Sequence, residues 1–139
     1  MRSFGGFHMP AVNWLAVIAA ALSMFVIGGL WYGPLFARPW QKAAGLSDEQ
    51  VKAGNMPLIF GLALVLSLLM AANLGFFVAG VADLGAVVGY SVAAGLGWAA
   101  FGLSIVALFE RRPLAYHLIN GGYLTVAFVV MGLILGLWR

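Results

Sequence analysis

The sequence predicts an all-α integral membrane protein: a bundle of four transmembrane helices with one short capped helix in its first loop. Two observations predict this fold class. Hydrophobic residues make up 64% of the 139-residue chain and charged residues only 8%. The charges also leave four uncharged runs, which lie between Arg2 and Arg38, Lys52 and Asp83, Asp83 and Glu110, and Arg112 and Arg139. Each run exceeds the roughly 20 residues that a helix needs to cross a hydrocarbon core.

These runs place the spans at residues 11–32, 57–82, 84–109 and 114–138 of a single domain. The spans must be helical because lipid cannot satisfy the backbone groups of an open strand. The first span is also open to interpretation as a signal peptide, because the alanines at 19–21 resemble a cleavage site. Its apolar run is too long for a signal peptide, which favours a retained helix. The lipid bilayer is therefore the first predicted partner.

The distribution of basic residues predicts an orientation. Five of the seven cations fall in the two connections on one side of the membrane: Arg38, Lys42, Lys52, Arg111 and Arg112. The side that holds both termini has only Arg2 and Arg139. By the positive-inside rule, the 33–56 and 110–113 connections are cytoplasmic and both termini lie on the opposite side of a bacterial inner membrane.

The first connection contains the predicted short helix, in the segment LSDEQVKAG. Ser47 is its N-cap, Gln50 is the capping-box partner, and Gly54 ends it. The third span begins directly after Asp83, whose carboxylate is placed to accept from the first free N–H groups of that helix.

Small residues predict the contacts between helices, because in lipid close backbone approach replaces the hydrophobic driving force. The third span carries a four-residue repeat of Gly85, Gly89, Ala93 and Gly97. The other sets at this spacing are Ala71, Gly75 and Ala79 in the second span, and Gly132 and Gly136 in the fourth. Each set predicts a contact either within the bundle or between protomers. Four short helices enclose little interior of their own, so we also predict a homo-oligomer.

A polar face on the fourth span gives the candidate functional residues. His117 and Thr125 share this face, and Asn120 lies at its margin. One interpretation is a path for protons, ions or small solutes, since ionisable residues inside a membrane usually face a cavity. The other, which we favour, places His117 near the headgroups. Asn13 and Asn73 are further candidates for interhelical hydrogen bonds.

Several classes of function are disfavoured. The chain has no cysteine and none of the common metalloprotease, phosphate-loop, dinucleotide or serine-hydrolase motifs. His8 and His117 are predicted on opposite sides of the membrane, so they cannot share a metal. Seven scattered cations do not form a nucleic-acid footprint. We expect no catalytic residues, cofactor, metal or nucleic-acid partner, and the sequence leaves any substrate open.

The segment GGLWYGPLF raises a separate question, because its aromatic residues suit either a ligand pocket or the exit of a helix. Trp14 and Trp31 are about 25 Å apart along a helix, so we interpret them as anchors at opposite interfaces. Tyr32 and Trp40 extend the second anchor. Gly33 and Pro34 are predicted to end the span. The basic residues expected to meet lipid phosphates are Arg38, Lys42, Arg111 and Arg112.

The same region carries a family resemblance. Asn13 and Trp14, Gly28, the WYGPLF run and Trp40 resemble the start of the small bacterial membrane proteins grouped as domain of unknown function 1761. The later helices fit the four-span pattern of that family more loosely. The resemblance implies a bacterial integral membrane protein, and it implies no activity, substrate or cofactor.

Overall fold

The computed structural model describes residues 11–139, and the described part of the chain is helical throughout, without strands. The predicted fold class is confirmed. Four helices are long and apolar enough to cross a membrane, and they run from Trp14 to Leu35, Met56 to Val78, Leu84 to Phe109, and Leu114 to Leu137. We call them the first to fourth spans. Arg2 and His8 lie outside the described residues.

Polar side chains cap the N-termini of the first three spans. Asn13 accepts from the backbone N–H groups of Leu15 and Ala16, and Asp83 accepts from that of Ala86. Asn55 caps the second span in the same way. Each cap satisfies donors that lipid could not. Asn13 is therefore a cap, although its amide also donates to the Trp138 carbonyl at 3.4 Å.

Two helices lie between the first and second spans. The predicted capped helix is Asp48–Lys52, and Ser47 and Gln50 form both hydrogen bonds of the capping box. The other helix, Ala37–Ala44, precedes it in the chain and was not predicted. We call it the loop helix. It ends at Gly45, whose φ of 70° is left-handed and favours glycine. Pro39 argues against a helix when the sequence is considered alone, but this proline lies in the first turn of the loop helix, where proline is tolerated.

The end of the first span differs from the prediction. Gly33 and Pro34 do not end it, because residues Trp31–Leu35 form a π-helical turn in which the N–H of Phe36 donates to the Trp31 carbonyl at 2.8 Å. In a regular α-helix the ring of proline clashes with the carbonyl four residues earlier. The wider turn relieves that clash, so the helix continues through Pro34.

A second π-helical segment, Ala93–Ala100, interrupts the third span. The buried residues of this span are Val87, Ser91, Gly95, Ala100 and Ala107. The interval from Gly95 to Ala100 is one π-turn instead of one α-turn, so the buried face shifts by one residue at the middle of the span.

The fourth span is the centre of the bundle and packs against the other three. The first span packs against both the second and the fourth, whereas the second and third spans make few contacts with each other. The hydrophobic core comprises Ala16, Val17, Ala20, Ala21, Met24, Ala71, Leu74, Val78, Val87, Ala127, Phe128, Met131 and Leu135.

Candidate functional site

Three aromatic side chains link the end of the first span to the fourth span. The hydroxyl of Tyr32 donates to Asn120 Oδ1 at 2.5 Å, and the indole N–H of Trp31 donates to the Ile119 carbonyl at 2.8 Å. In the reverse direction, the hydroxyl of Tyr123 donates to the Met24 carbonyl at 3.1 Å. We call Tyr32, Asn120 and Tyr123 the tyrosine–asparagine cluster.

Aromatic packing extends this cluster towards the first connection. The ring of Tyr32 lies edge-on to Tyr123 at a centroid distance of 5.3 Å and to Trp40 of the loop helix at 5.5 Å. Trp31 packs against Phe36 at 5.0 Å. The cluster therefore joins the first span, the loop helix and the fourth span at one end of the bundle, which we call the loop end.

Two clefts open on either side of the cluster, and Tyr32 and Tyr123 line both. The larger, of about 490 Å³, lies between the first and second spans and is lined by Phe25, Gly28, Phe60 and Ser67 among others. The smaller, of about 290 Å³, is lined by Tyr32, Trp40, Leu103, Tyr116, Asn120, Tyr123 and Leu124. We call the smaller one the asparagine cleft, because Asn120 supplies its only amide side chain.

A basic side chain borders the asparagine cleft. The guanidinium of Arg112 lies 5.5 Å from the centre of the Tyr116 ring, a cation–π arrangement. Its Nη1 donates to the Ala44 carbonyl at 2.9 Å, which joins the loop helix to the last connection. The carboxylate of Glu110 is 3.8 Å from Arg112 Nε. By contrast, Arg38, Lys42 and Arg111 are exposed, as expected for contacts with water or headgroups.

The candidate polar residues of the fourth span do not form one continuous track. His117 is half-buried, one turn after the start of the span, with its ring edge-on to Tyr116 at 6.3 Å. Thr125 donates to the Gly121 carbonyl of its own helix. Only Asn120 is both buried, at 7% exposure, and bonded to another helix. Beyond Thr125 the fourth span packs on apolar residues and on Ser91, a buried side chain whose hydroxyl donates to the Val87 carbonyl of its own helix.

The interhelical partner predicted for Asn73 is not found. Its amide donates to the Leu69 carbonyl at 2.9 Å within the second span, and the side chain is exposed. A carbonyl one turn earlier on the same helix accepts from this amide without any contact to another span. That prediction was wrong for the single chain.

The small-residue predictions divide into two outcomes. A Cβ added to Gly132 would collide with Ser91, and one added to Gly136 would lie 2.9 Å from Leu84. Both glycines thus allow close approach of the third and fourth spans. In the second span, Ala71 and Gly75 are buried.

The third-span repeat does not lie inside the bundle. Gly85, Gly89, Ala93 and Gly97 are all exposed, and a Cβ at Gly89 or Gly97 would meet nothing within 4 Å. The contact within one chain, one of the two interpretations of this repeat, is therefore wrong. The face that does pack contains Gly95, whose added Cβ would lie 2.6 Å from that of Phe128.

The aromatic residues predicted as interface anchors also have two different outcomes. Trp14 is 56% exposed and packs edge-on against Phe76, which fits an interfacial residue. Trp31 and Tyr32 instead direct their polar atoms to the fourth span, so describing them only as anchors was wrong. One signal in the sequence pointed to this site: Tyr116, Asn120 and Tyr123 are spaced at i, i+4 and i+7, which places them on one helical face.

The cluster offers hydrogen-bonding groups and aromatic surface. Among residues 11–139, no three His, Cys, Asp or Glu side chains come together as metal ligands. The hydroxyls of Tyr32 and Tyr123 already donate within the protein, so the amide of Asn120 and the guanidinium of Arg112 are the groups that can donate to the oxygen atoms of an amphiphile that enters from the bilayer.

Comparison with known proteins establishes the family but no activity. The chain belongs to the family described as "Protein of unknown function (DUF1761)", whose sequence profile matches residues 15–136. That match covers the cluster and all four spans apart from their outermost residues, Trp14 and Leu137. Searches among curated proteins and among solved structures found no match.

Proposed function

We propose that this protein is a non-catalytic structural or accessory component of a bacterial inner membrane that acts as a homo-oligomer. The observation that carries the proposal is the outward-facing repeat of the third span. Only 17% of the most apolar window of this span is buried, against 39% for the fourth. Small residues on an exposed face allow the backbone of another helix to approach closely.

Polar groups beside this face support a protein partner rather than lipid alone. Asn73 and Trp98 line the same cleft of about 400 Å³ between the second and third spans. Within the described part of the chain, nothing accepts from the indole N–H of Trp98 or donates to the amide oxygen of Asn73. Unpaired polar groups in hydrocarbon are costly, and a second copy of the chain can supply their partners.

The test is the subunit number of three variants in lipid nanodiscs, counted by single-molecule photobleaching. Gly89→Leu and Gly97→Leu each place a bulky side chain on the proposed contact face, so we expect them to shift the protein towards monomers. Gly61→Leu is the matched control, because Gly61 is also exposed with open space around it, but on the second span. A wild-type monomer, or an oligomer unchanged in both third-span variants, would contradict the proposal.

The alternative function is a channel or transporter that uses His117, Asn120 and Thr125. Asn120 favours it, because a buried amide beside a cleft can contact a polar solute. The core beyond Thr125 disfavours it, because the buried residues there are apolar except for Ser91, whose hydroxyl bonds its own helix. We therefore expect proton flux into liposomes to be the same for the wild type and His117→Ala, and a wild-type flux that this substitution abolishes would establish the alternative.

A further inference from the structure

The asparagine cleft contains an unsatisfied hydrogen-bond donor. The carboxamide of Asn120 accepts from Tyr32 through Oδ1, but no described residue accepts from its Nδ2. The side chain is only 7% exposed, and the accessible part lines the cleft. Nδ2 is not sealed in the core, since Arg112 Nε is the only fully buried and unpaired side-chain N or O atom among the described residues. The amide N–H is therefore reached from the cleft, where an acceptor from outside the chain can complete its hydrogen bonding.

The depth of Asn120 indicates the kind of acceptor. Its position is about 9 Å along the helix axis from Leu114, the first residue of the fourth span. Below the headgroups, the oxygen atoms that a bilayer itself supplies are the ester carbonyls of its lipids. Leu103 and Leu124 line the same cleft and offer an apolar surface for an acyl chain.

The mouth of the cleft is suited to a phosphate. Arg112 stacks on Tyr116, which lines the cleft, and its side chain remains 36% exposed. Pro113 provides no side-chain cap for the fourth span, so the positive end of this helix also faces the headgroup region. Across the two connections, five cations outnumber the three carboxylates of Asp48, Glu49 and Glu110.

We propose that the asparagine cleft binds one anionic phospholipid, with an ester carbonyl accepting from Asn120 Nδ2 and the phosphate contacting Arg112. This lipid lies at the junction of the first span, the loop helix and the fourth span. It therefore completes the hydrogen bonding of the tyrosine–asparagine cluster, independently of the face proposed for oligomerisation.

Native mass spectrometry of the full chain with defined lipids tests this assignment. The probes are phosphatidylglycerol, its dialkyl ether analogue, which lacks the ester carbonyls, and phosphatidylcholine, which lacks net charge. We expect the wild type to retain the ester lipid about fivefold better than the ether analogue, the value of one hydrogen bond of typical net strength. Equal retention of the two lipids by the wild type would overturn the proposal without any substitution.

Two variants assign the contacts. Asn120→Leu should abolish the preference for the ester lipid, whereas Arg112→Gln should reduce the preference for phosphatidylglycerol over phosphatidylcholine. Ser23→Ala is the control, since it removes a membrane polar side chain that bonds its own helix and lines neither cleft. An ester preference that persists in Asn120→Leu, or that disappears equally in Ser23→Ala, would place the lipid elsewhere.

Discussion

The substitution Gly95→Ala tests most directly which face of the third span packs against the fourth span. The added Cβ would lie 2.6 Å from Phe128 Cβ, 3.0 Å from its Cγ and 3.1 Å from the Leu124 carbonyl oxygen. Carbon atoms pack best at about 3.5–4.0 Å, so about 1 Å of separation is missing. A change of rotamer cannot relieve contacts with a Cβ and a backbone oxygen, so the third and fourth spans must move apart.

The matched control is Gly97→Ala, two residues further along the same π-helical segment, where a Cβ meets nothing within 4 Å. Both substitutions change backbone entropy similarly, so the difference between them isolates the packing cost. From the usual cost of overpacking, we expect Gly95→Ala to be less stable than Gly97→Ala by about 1–3 kcal/mol. The measurement is equilibrium unfolding in mixed detergent micelles.

The opposite result has a specific meaning. If, in monomeric protein, Gly97→Ala is as destabilising as Gly95→Ala, or more so, the repeat from Gly85 to Gly97 faces the interior. The exposed face that supports oligomerisation would then be lost as well.

Two further predictions concern the cluster and the topology. Tyr32→Phe should lower the free energy of unfolding by about 1–3 kcal/mol, because it leaves the buried oxygen of Asn120 unpaired. The control Tyr90→Phe, on an exposed face, should change the free energy of unfolding by less than about 0.5 kcal/mol. Equal effects of the two substitutions in the same unfolding assay would show that the Tyr32–Asn120 hydrogen bond has no structural role. Because the wild type has no cysteine, single substitutions report orientation: a membrane-impermeant thiol reagent should label Ala82→Cys in intact spheroplasts and Glu49→Cys only after lysis, and the reverse pattern would invert the predicted topology.

The sequence was sufficient to predict the spans and two of the caps, Ser47 and Asp83, because these depend on local chemistry. Charges are excluded from hydrocarbon, so Asp83 and Arg112 mark the limits of the third and fourth spans to within a few residues. Ser47 and Gln50 are three residues apart, which is all that a capping box requires. Neither inference needs to know which face of any helix is buried.

The facial prediction failed in the third span because the span carries two stripes at four-residue spacing, and the prediction followed the wrong one. In the regular α-helical part of the span, Gly85 and Gly89 are already exposed, whereas Val87 and Ser91 are buried. The π-helical segment then moves the buried stripe by one residue, from Gly95 to Ala100. Gly95 is also small, so composition alone could not distinguish the packed stripe from the exposed one.

The prediction that the WYGPLF segment ends the first span was wrong for a different reason. Its glycine and proline are strong signals for the end of a helix, and its aromatic residues are typical of a membrane interface, so the local evidence agreed on a helix exit. The structure keeps the chain helical through Pro34 by widening the turn, and Trp31 and Tyr32 then reach Ile119 and Asn120 on the fourth span. Those partners lie 88 residues further along the chain. Nothing within the WYGPLF segment itself indicates an interaction at that separation. The sequence signal for it lies in the fourth span, where the spacing of Tyr116, Asn120 and Tyr123 indicates one polar aromatic face.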